Sequence, residues 1–317
     1  MKKILFVLIT WFLLLPVLAN AADKGLNIVF IPKSSDQVFW DLMRNGVEKA
    51  VTEDGNIKLT WRGPVHNADT DSQIWILQVY TQPGVDAILI APTDRARLVE
   101  PVRKAAALGI KVIVVDSALD GNYHANQVTT DNINGGKLAA KRMADLLGKR
   151  GRVMMLRTLA GSASTDDRAQ GFITYLKEYA PHITLVDDVY GGGSTGKLRR
   201  SAAAMLKKNP AVDGVFAVNE SSTDGMLRAL REQGLAGKIK FVGFDSTDLL
   251  IQGLESGEIH GLVVQNPYQM GYQGIKAAVA AIHQAPIKDR TIFTEAIVVT
   301  RENVKQPAIQ KLICSRC

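Results

Sequence analysis

Cysteine is nearly absent from this chain of 317 residues: Cys314 and Cys317 are the only two, and both lie among the last four positions. A disulfide framework and a cysteine-ligated metal are thereby excluded from the body of the protein. Histidine is scarce too. His66, His124, His182, His260 and His283 are dispersed, so no H-E-x-x-H metal-hydrolase pattern forms. Aromatics make up 6% of the chain, and no basic run interleaves with them although the formal charge is +7. Lys and Arg are scattered among Asp and Glu, as on a solvated surface, and this excludes nucleic-acid binding.

Long apolar stretches are also missing, with one exception. Ile4–Val17 is almost unbroken Ile, Leu, Phe, Val and Trp; Met1-Lys2-Lys3 precedes it and Ala19-Asn20-Ala21 follows. A short positive segment, an apolar run and a small-x-small site make a secretory signal peptide. The run falls short of the roughly 20 residues a membrane span needs. We therefore expect an exported chain, cleaved near Ala21, with no cysteine at the new terminus to carry a lipid. A soluble protein in a bacterial periplasm follows. In that oxidising compartment Cys314-Ser315-Arg316-Cys317 reads as a small tail disulfide rather than a redox or metal motif.

The rest of the chain is ordinary globular sequence, 46% hydrophobic and 22% charged, long enough for two domains. Short apolar or β-branched runs recur at Leu26–Ile31, Ile57–Trp61, Ala87–Ile90, Val112–Val115, Val153–Leu156, Ile183–Leu185, Gly214–Ala217, Lys240–Val242 and Leu262–Val264. Amphipathic segments such as Phe39–Val51, Leu98–Leu108, Gly136–Leu147, Gly171–Tyr179, Thr223–Gln233 and Tyr268–His283 separate them. Such alternation predicts doubly wound α/β parallel sheets. Right-handed crossovers place every strand's carboxyl end on one side, where ligands bind.

Planar polar groups crowd those strand ends. Lys33-Ser34-Ser35-Asp36-Gln37-Val38-Phe39-Trp40 follows the first strand, Ala91-Pro92-Thr93-Asp94 the third and Asp116-Ser117 the fourth. Further along come Asp131-Asn132, Asp167-Arg168, Asn219-Glu220, Gly243-Phe244-Asp245 and Gln265-Asn266-Pro267. This ordered series, from about Leu26 to Val299, resembles the periplasmic sugar-binding proteins of the ribose- and galactose-binding type. Those are ABC-importer subunits related to the ligand domains of LacI-like repressors. The resemblance implies a type I periplasmic binding protein fold: two lobes joined by a three-strand hinge, with one sugar enclosed between them. By that analogy residues 1–21 are the leader, 22–130 with 266–291 the first lobe, and 131–265 with 292–317 the second. Thr129–Asn132, Ser246–Thr247 and Gln265–Pro267 are the hinge candidates.

A monosaccharide presents C–H patches that stack on aromatic rings, and hydroxyls that both donate and accept. Phe39 and Trp40 open a helix just after a strand, and at least one of them is expected to touch ligand, since only one of two adjacent side chains faces the core comfortably. The resemblance adds Asp116, Arg168, Asn219, Asp245 and Gln265 as ligand-binding residues, and Lys33 and Gln37 complete the set. Helix capping is the competing role for such residues, and for Asp94 and Asp131 it is preferred. Three departures rebuild the pocket. Ser117 stands where ribose-type proteins carry arginine, Ala91 where they carry asparagine, and Lys33 where they carry a small residue. The loop Gly191–Thr195 lacks their second stacking aromatic, although Tyr190 lies close. Neutral, acidic and phosphorylated sugars and larger polyols therefore stay open.

Two enzymatic readings are set aside. Gly191–Lys197 fits the phosphate-loop pattern G-x-x-x-x-G-K, but Leu198 occupies the Mg-binding Ser/Thr position, so a cleft-edge loop is expected. Asp116 and Asp245 could be cast as a glycosidase pair, yet binding without turnover, without cofactor or metal, is the expectation. The expected partners are a sugar or polyol and ABC permease subunits of the inner membrane. A sensor kinase or chemoreceptor is the alternative output.

Overall fold

The computed structural model describes residues 25–67, 69–286 and 289–313. The expected signal peptide and the tail cysteines Cys314 and Cys317 lie outside these residues. No helix among the described residues is long and apolar enough to cross a membrane.

Two six-stranded sheets carry the fold. The first contains β1 (Leu26–Ile31), β2 (Ile57–Trp61), β3 (Ala87–Ile90), β4 (Lys111–Val115) and β5 (Asn126–Thr130), all parallel. The second contains β6 (Arg150–Arg157), β7 (His182–Tyr190), β8 (Gly214–Ala217), β9 (Lys240–Phe244) and β10 (Gly261–Gln265), again parallel. β11 (Thr291–Thr294) then returns to pair with β5, and β12 (Ala296–Val299) pairs antiparallel with β10. The sheet orders are β11-β5-β4-β3-β1-β2 and β12-β10-β9-β8-β6-β7, so each strand has a counterpart in the other lobe.

The helices repeat the same plan. In the first lobe α1 (Val38–Asp54), α2 (Thr70–Tyr80) and α3 (Val99–Ala107) follow successive strands; in the second, α5 (Ala163–Tyr179), α6 (Thr195–Lys208) and α7 (Glu220–Glu232) do so, with α8 (Asp248–Glu255) after β9. α4 (Asn132–Leu147) follows β5 but packs on α5, whereas α9 (Pro267–Ile282) follows β10 but packs back on α1. α10 (Pro307–Ile313) closes the described chain on the second lobe. Central strands such as β3 (Ala-Ile-Leu-Ile) are buried at every position because helices cover both faces of the sheet, as continuous apolar runs require.

Glycines set the helix spacing. A Cβ at Gly136 in α4 would stand 1.9 Å from the Arg168 carbonyl oxygen, and one at Gly171 in α5 would stand 2.0 Å from that of Ile133. Only hydrogens fit there, so α5 lies close on α4 and Arg168 is delivered into the interior.

The chain passes between sheets after Thr130, after Gln265 and between Thr294 and Ala296. The first and second passages match hinge candidates. Ser246–Thr247 is not one: it joins β9 to α8 within the second lobe, and Thr247 caps α8 by accepting from the Leu250 N–H. The third passage lies instead at Glu295, so the first lobe's return runs past Thr291 to Thr294. Three short elements, β5, β11 and β12, were not apparent in the sequence pattern.

Candidate functional site

Between the carboxyl ends of the two sheets lies a cavity of about 450 Å³ including its open mouth. Lys33, Gln37, Phe39, Trp40, Asp116, Arg168, Asn219, Asp245 and Gln265 all line it, so the structure brings together every residue expected there from the sequence. Lys33, Gln37, Phe39, Trp40 and Asp116 come from the first lobe, Arg168, Asn219 and Asp245 from the second, and Gln265 from the second passage. Neither lobe builds the site alone.

Lys33 follows β1 and is 5% exposed. Its ammonium lies 3.2 Å from Asp116 Oδ2 and donates to Ser162 Oγ at 3.1 Å and Ser164 Oγ at 3.0 Å. An ammonium has three donors, and here all three are taken. Burial lowers the Lys33 pKa and Asp116 opposes that shift. Ser162 and Ser164 belong to the other lobe, so Lys33 is a counterion and a cross-lobe strap at once.

Arg168, 2% exposed, projects from α5. Its guanidinium donates to Asn132 Oδ1 (2.9 Å) and the Val218 carbonyl (3.0 Å) and lies 3.9 Å from the centre of the Phe244 ring. Its Nη2 has no partner among the described residues. Burial lowers the guanidinium pKa, while Asp245 and Asp116 raise it. Asp245 accepts from Gln265 Nε2 (2.6 Å) and the Glu220 N–H (2.8 Å); burial raises its pKa against the pull of Arg168. Gln265 in turn accepts from Thr130 Oγ1 at 2.9 Å, tying two hinge passages together. The four charged residues lining the cavity thus comprise two cations and two anions.

The aromatic pair departs from expectation. Phe39 and Trp40 both line the cavity and both join the first lobe's core, packed edge to face with centroids 5.0 Å apart. Trp40 Nε1 donates to Gln37 Oε1 (3.1 Å), so the indole keeps its polar edge satisfied while buried. Both side chains fit because a helix start at the cleft wall has core on one side and cavity on the other.

Asp131 caps α4 by accepting from the Asn134 N–H, and Asp94 accepts from the N–H groups of Ala96 and Arg97. Neither lines the cavity, in keeping with the capping role. Asn219 lines it while also capping α7, through Ser222 N–H and Oγ. The Gly191–Lys197 loop is tied down: Gly191 and Gly192 donate their N–H groups to the carbonyls of Arg157 and Thr158. Gly192–Gly196 also spells G-x-S-x-G, yet Ser194 is the N-cap position of α6, and no histidine bonds to it among the described residues. Tyr190 is 47% exposed and donates to Asp166, outside the cavity; Leu159 lines the wall instead.

Sequence reasoning missed several wall residues. Asn67, Thr93, Ser162 and Ser164 lie in loops or at helix starts with no spacing to mark them. Asn67 donates to Gln37 Oε1, and its own Oδ1 is buried with no partner among the described residues. Glu220, next to Asn219 at a strand end, stands outside the site expected from the sequence. It is 8% exposed, and its carboxylate accepts from the N–H groups of Val38 (3.2 Å) and Phe39 (2.9 Å) in the other lobe. Burial pushes its pKa to about 8.

A two-lobed α/β fold with one buried, polar, charge-compensated cavity at the strand ends between its lobes defines a hinged solute-binding protein. The chain belongs to the periplasmic binding protein family: the model described as "Periplasmic binding protein domain" matches residues 28–285. Among curated relatives it is 28% identical to the xylitol-binding protein of Mycolicibacterium smegmatis, over 94% of this chain and 83% of that one. It is also 28% identical to the D-allose-binding periplasmic protein of Escherichia coli, over 84% and 87%. A carbohydrate transporter solute-binding protein from Agrobacterium radiobacter, solved with D-arabinose, superposes with a TM-score of 0.88 at 33% identity, covering 92% of this chain and 99% of that one. An ABC transporter solute-binding protein from Agrobacterium vitis with bound D-fucose gives 0.87 at 29%, covering 91% and 100%. The family is one of transport proteins rather than enzymes, and it places this chain in the periplasm.

Proposed function

We propose that this protein captures one neutral monosaccharide or sugar alcohol between its lobes and delivers it to an ABC importer, with Lys33, Gln37, Phe39, Trp40, Asp116, Arg168, Asn219, Asp245 and Gln265 forming the ligand site. The observation that carries the reading is the pairing of cancelled charge with unused hydrogen-bonding capacity. Lys33 and Arg168 offset Asp116 and Asp245, while Arg168 Nη2 and Asn67 Oδ1, on residues that line the cavity, are buried without partners among the described residues. A buried unpaired donor or acceptor costs about 1–3 kcal/mol, and a hydroxyl, which donates and accepts, relieves both kinds. An anion would add uncompensated charge. The relatives named for xylitol, D-allose and ribose support this class of ligand. An adaptor role for a sensor kinase or chemoreceptor is not favoured by these relatives. Export would remove the leader near Ala21, which the mass of the periplasmic protein checks.

A thermal-shift screen over D-ribose, D-allose, D-arabinose, D-fucose, xylitol, D-glucuronate and ribose 5-phosphate tests the ligand class. A neutral ligand at 100 times its Kd adds about 2.7 kcal/mol of stability. Stabilisation by the charged compounds alone would overturn the reading.

A further inference from the structure

The helix that follows the first strand of each sheet, α1 after β1 and α5 after β6, lacks a side-chain cap of its own. Gln37 at the N-cap of α1 makes no side-chain cap bond, because its amide is engaged by Trp40, Ser34 and Asn67. Ser162 at the N-cap of α5, the counterpart of α1, makes none either, its hydroxyl being held by Lys33. At each helix start, however, N–H groups of the first turn bond to a side chain of the opposite lobe. Glu220 accepts from Val38 and Phe39 of α1; Ser117 Oγ accepts from the Ser164 N–H of α5 at 3.0 Å.

We infer that Glu220 and Ser117 are reciprocal caps in trans, closing the cleft and setting ligand affinity without touching ligand. Neither residue lines the cavity. Glu220 has no cationic side chain bonded to it, and its described acceptor bonds are the two N–H groups across the cleft. When the lobes separate, carboxylate, hydroxyl and helix starts all return to water, so these bonds count only toward the closed form. Since apparent affinity scales with the population of the binding-competent state, loss of a closed-state bond raises Kd for every ligand by the same factor. This inference rests on the two-lobe capture reading.

Calorimetry on the full mature protein with D-allose, D-ribose and xylitol tests it. For each of these that the wild type binds, Glu220→Ala is expected to weaken binding by about tenfold or more and Ser117→Ala by about fivefold, each factor being the same for all sugars bound, with the sugar-free melting temperature falling less than the sugar-bound one. A Glu220→Gln variant, retaining one acceptor, should fall between wild type and Ala. Unchanged affinity, or a sugar-free melting temperature that drops as much as the sugar-bound one, would overturn the inference. Amide exchange on sugar-free protein gives an answer independent of ligand: Phe39 should exchange faster in Glu220→Ala than in wild type while Val47, deeper in α1, does not change. Equal exchange at Phe39 overturns the cap. Failure of the wild type to bind any of the three sugars counts against the sugar reading alone, and the exchange result still decides the cap.

Discussion

Asp116 and Asp245 hold the same left-handed backbone, with φ of 61° and 68°, at the ends of β4 and β9. Each strand is third from the same edge of its sheet, and each aspartate N–H donates to the neighbouring strand, to Val128 at 2.9 Å and Val263 at 2.8 Å. The two lobes therefore aim one carboxylate each at the shared cavity by the same local device. Left-handed φ is tolerated by Asp and Asn and costs other L-residues roughly 1–2 kcal/mol.

That backbone separates two substitutions at Asp116. Both substitutions remove the Lys33 counterion, but Asp116→Asn keeps an acceptor oxygen for the ammonium and tolerates φ of 61°, whereas Asp116→Ala adds strain and leaves that bond unmade. Removing one partner of a buried pair costs about 3–5 kcal/mol. Urea unfolding should show Asp116→Ala losing clearly more stability than Asp116→Asn, while calorimetry shows both losing sugar affinity about tenfold or more. Equal stability of the two variants would remove the backbone argument.

Lys33 yields a prediction about charge. Its three donors are spent on Asp116, Ser162 and Ser164, so none remains for a ligand anion. Lys33→Met should weaken neutral sugar binding by about tenfold or more, since it breaks a counterion and a strap together, and should create no new preference among charged sugars. A variant that binds neutral sugars normally while losing only sugar acids would restore the anionic reading.

Much of this was legible along the chain, for identifiable reasons. β3 and β4 read as continuous apolar runs because they are covered on both faces, and strand-end polar residues stand out because the topology gathers them. β5, Asn-Gln-Val-Thr-Thr, carries too few apolar residues to signal a strand and is specified by pairing with β4 and β11. The start of α5 at Ala163, well before Gly171, was hidden because Ser164 and Thr165 in its first turn line the cleft rather than a core. The cross-lobe partners of Lys33 and Glu220 lie more than a hundred residues away in sequence, and no local pattern encodes such pairs.

Gly171 offers a test of how Arg168 is positioned. An added methyl would meet the Ile133 carbonyl oxygen at 2.0 Å and force α5 away from α4. Overpacking of this kind costs about 1–3 kcal/mol. Gly171→Ala should lower the melting temperature and, by moving Arg168, weaken sugar binding as well. Gly196 in α6, where an added Cβ meets nothing nearer than Arg200 Nη1 at 3.9 Å, is the control for lost glycine alone.

His260 gives the molecule an acid-sensitive joint away from the cleft. Its Nδ1 accepts from the Phe241 N–H at 3.2 Å, and Nε2 lies 3.4 Å from the Lys240 ammonium. Burial first, then Lys240 and Arg142, lower its pKa from 6.5 to about 4. The folded pKa is below the unfolded one, so between those values the unfolded chain binds more protons. Stability from this residue is complete above pH 6.5 and is lost as pH falls toward 4. With the ring half-buried and partly screened, the loss is about 1–2 kcal/mol. His260→Gln retains an acceptor for Phe241 and removes the titration. On passing from pH 7 to pH 5 its melting temperature should fall less than that of the wild type, and an equal fall in both would show that His260 does not carry the effect.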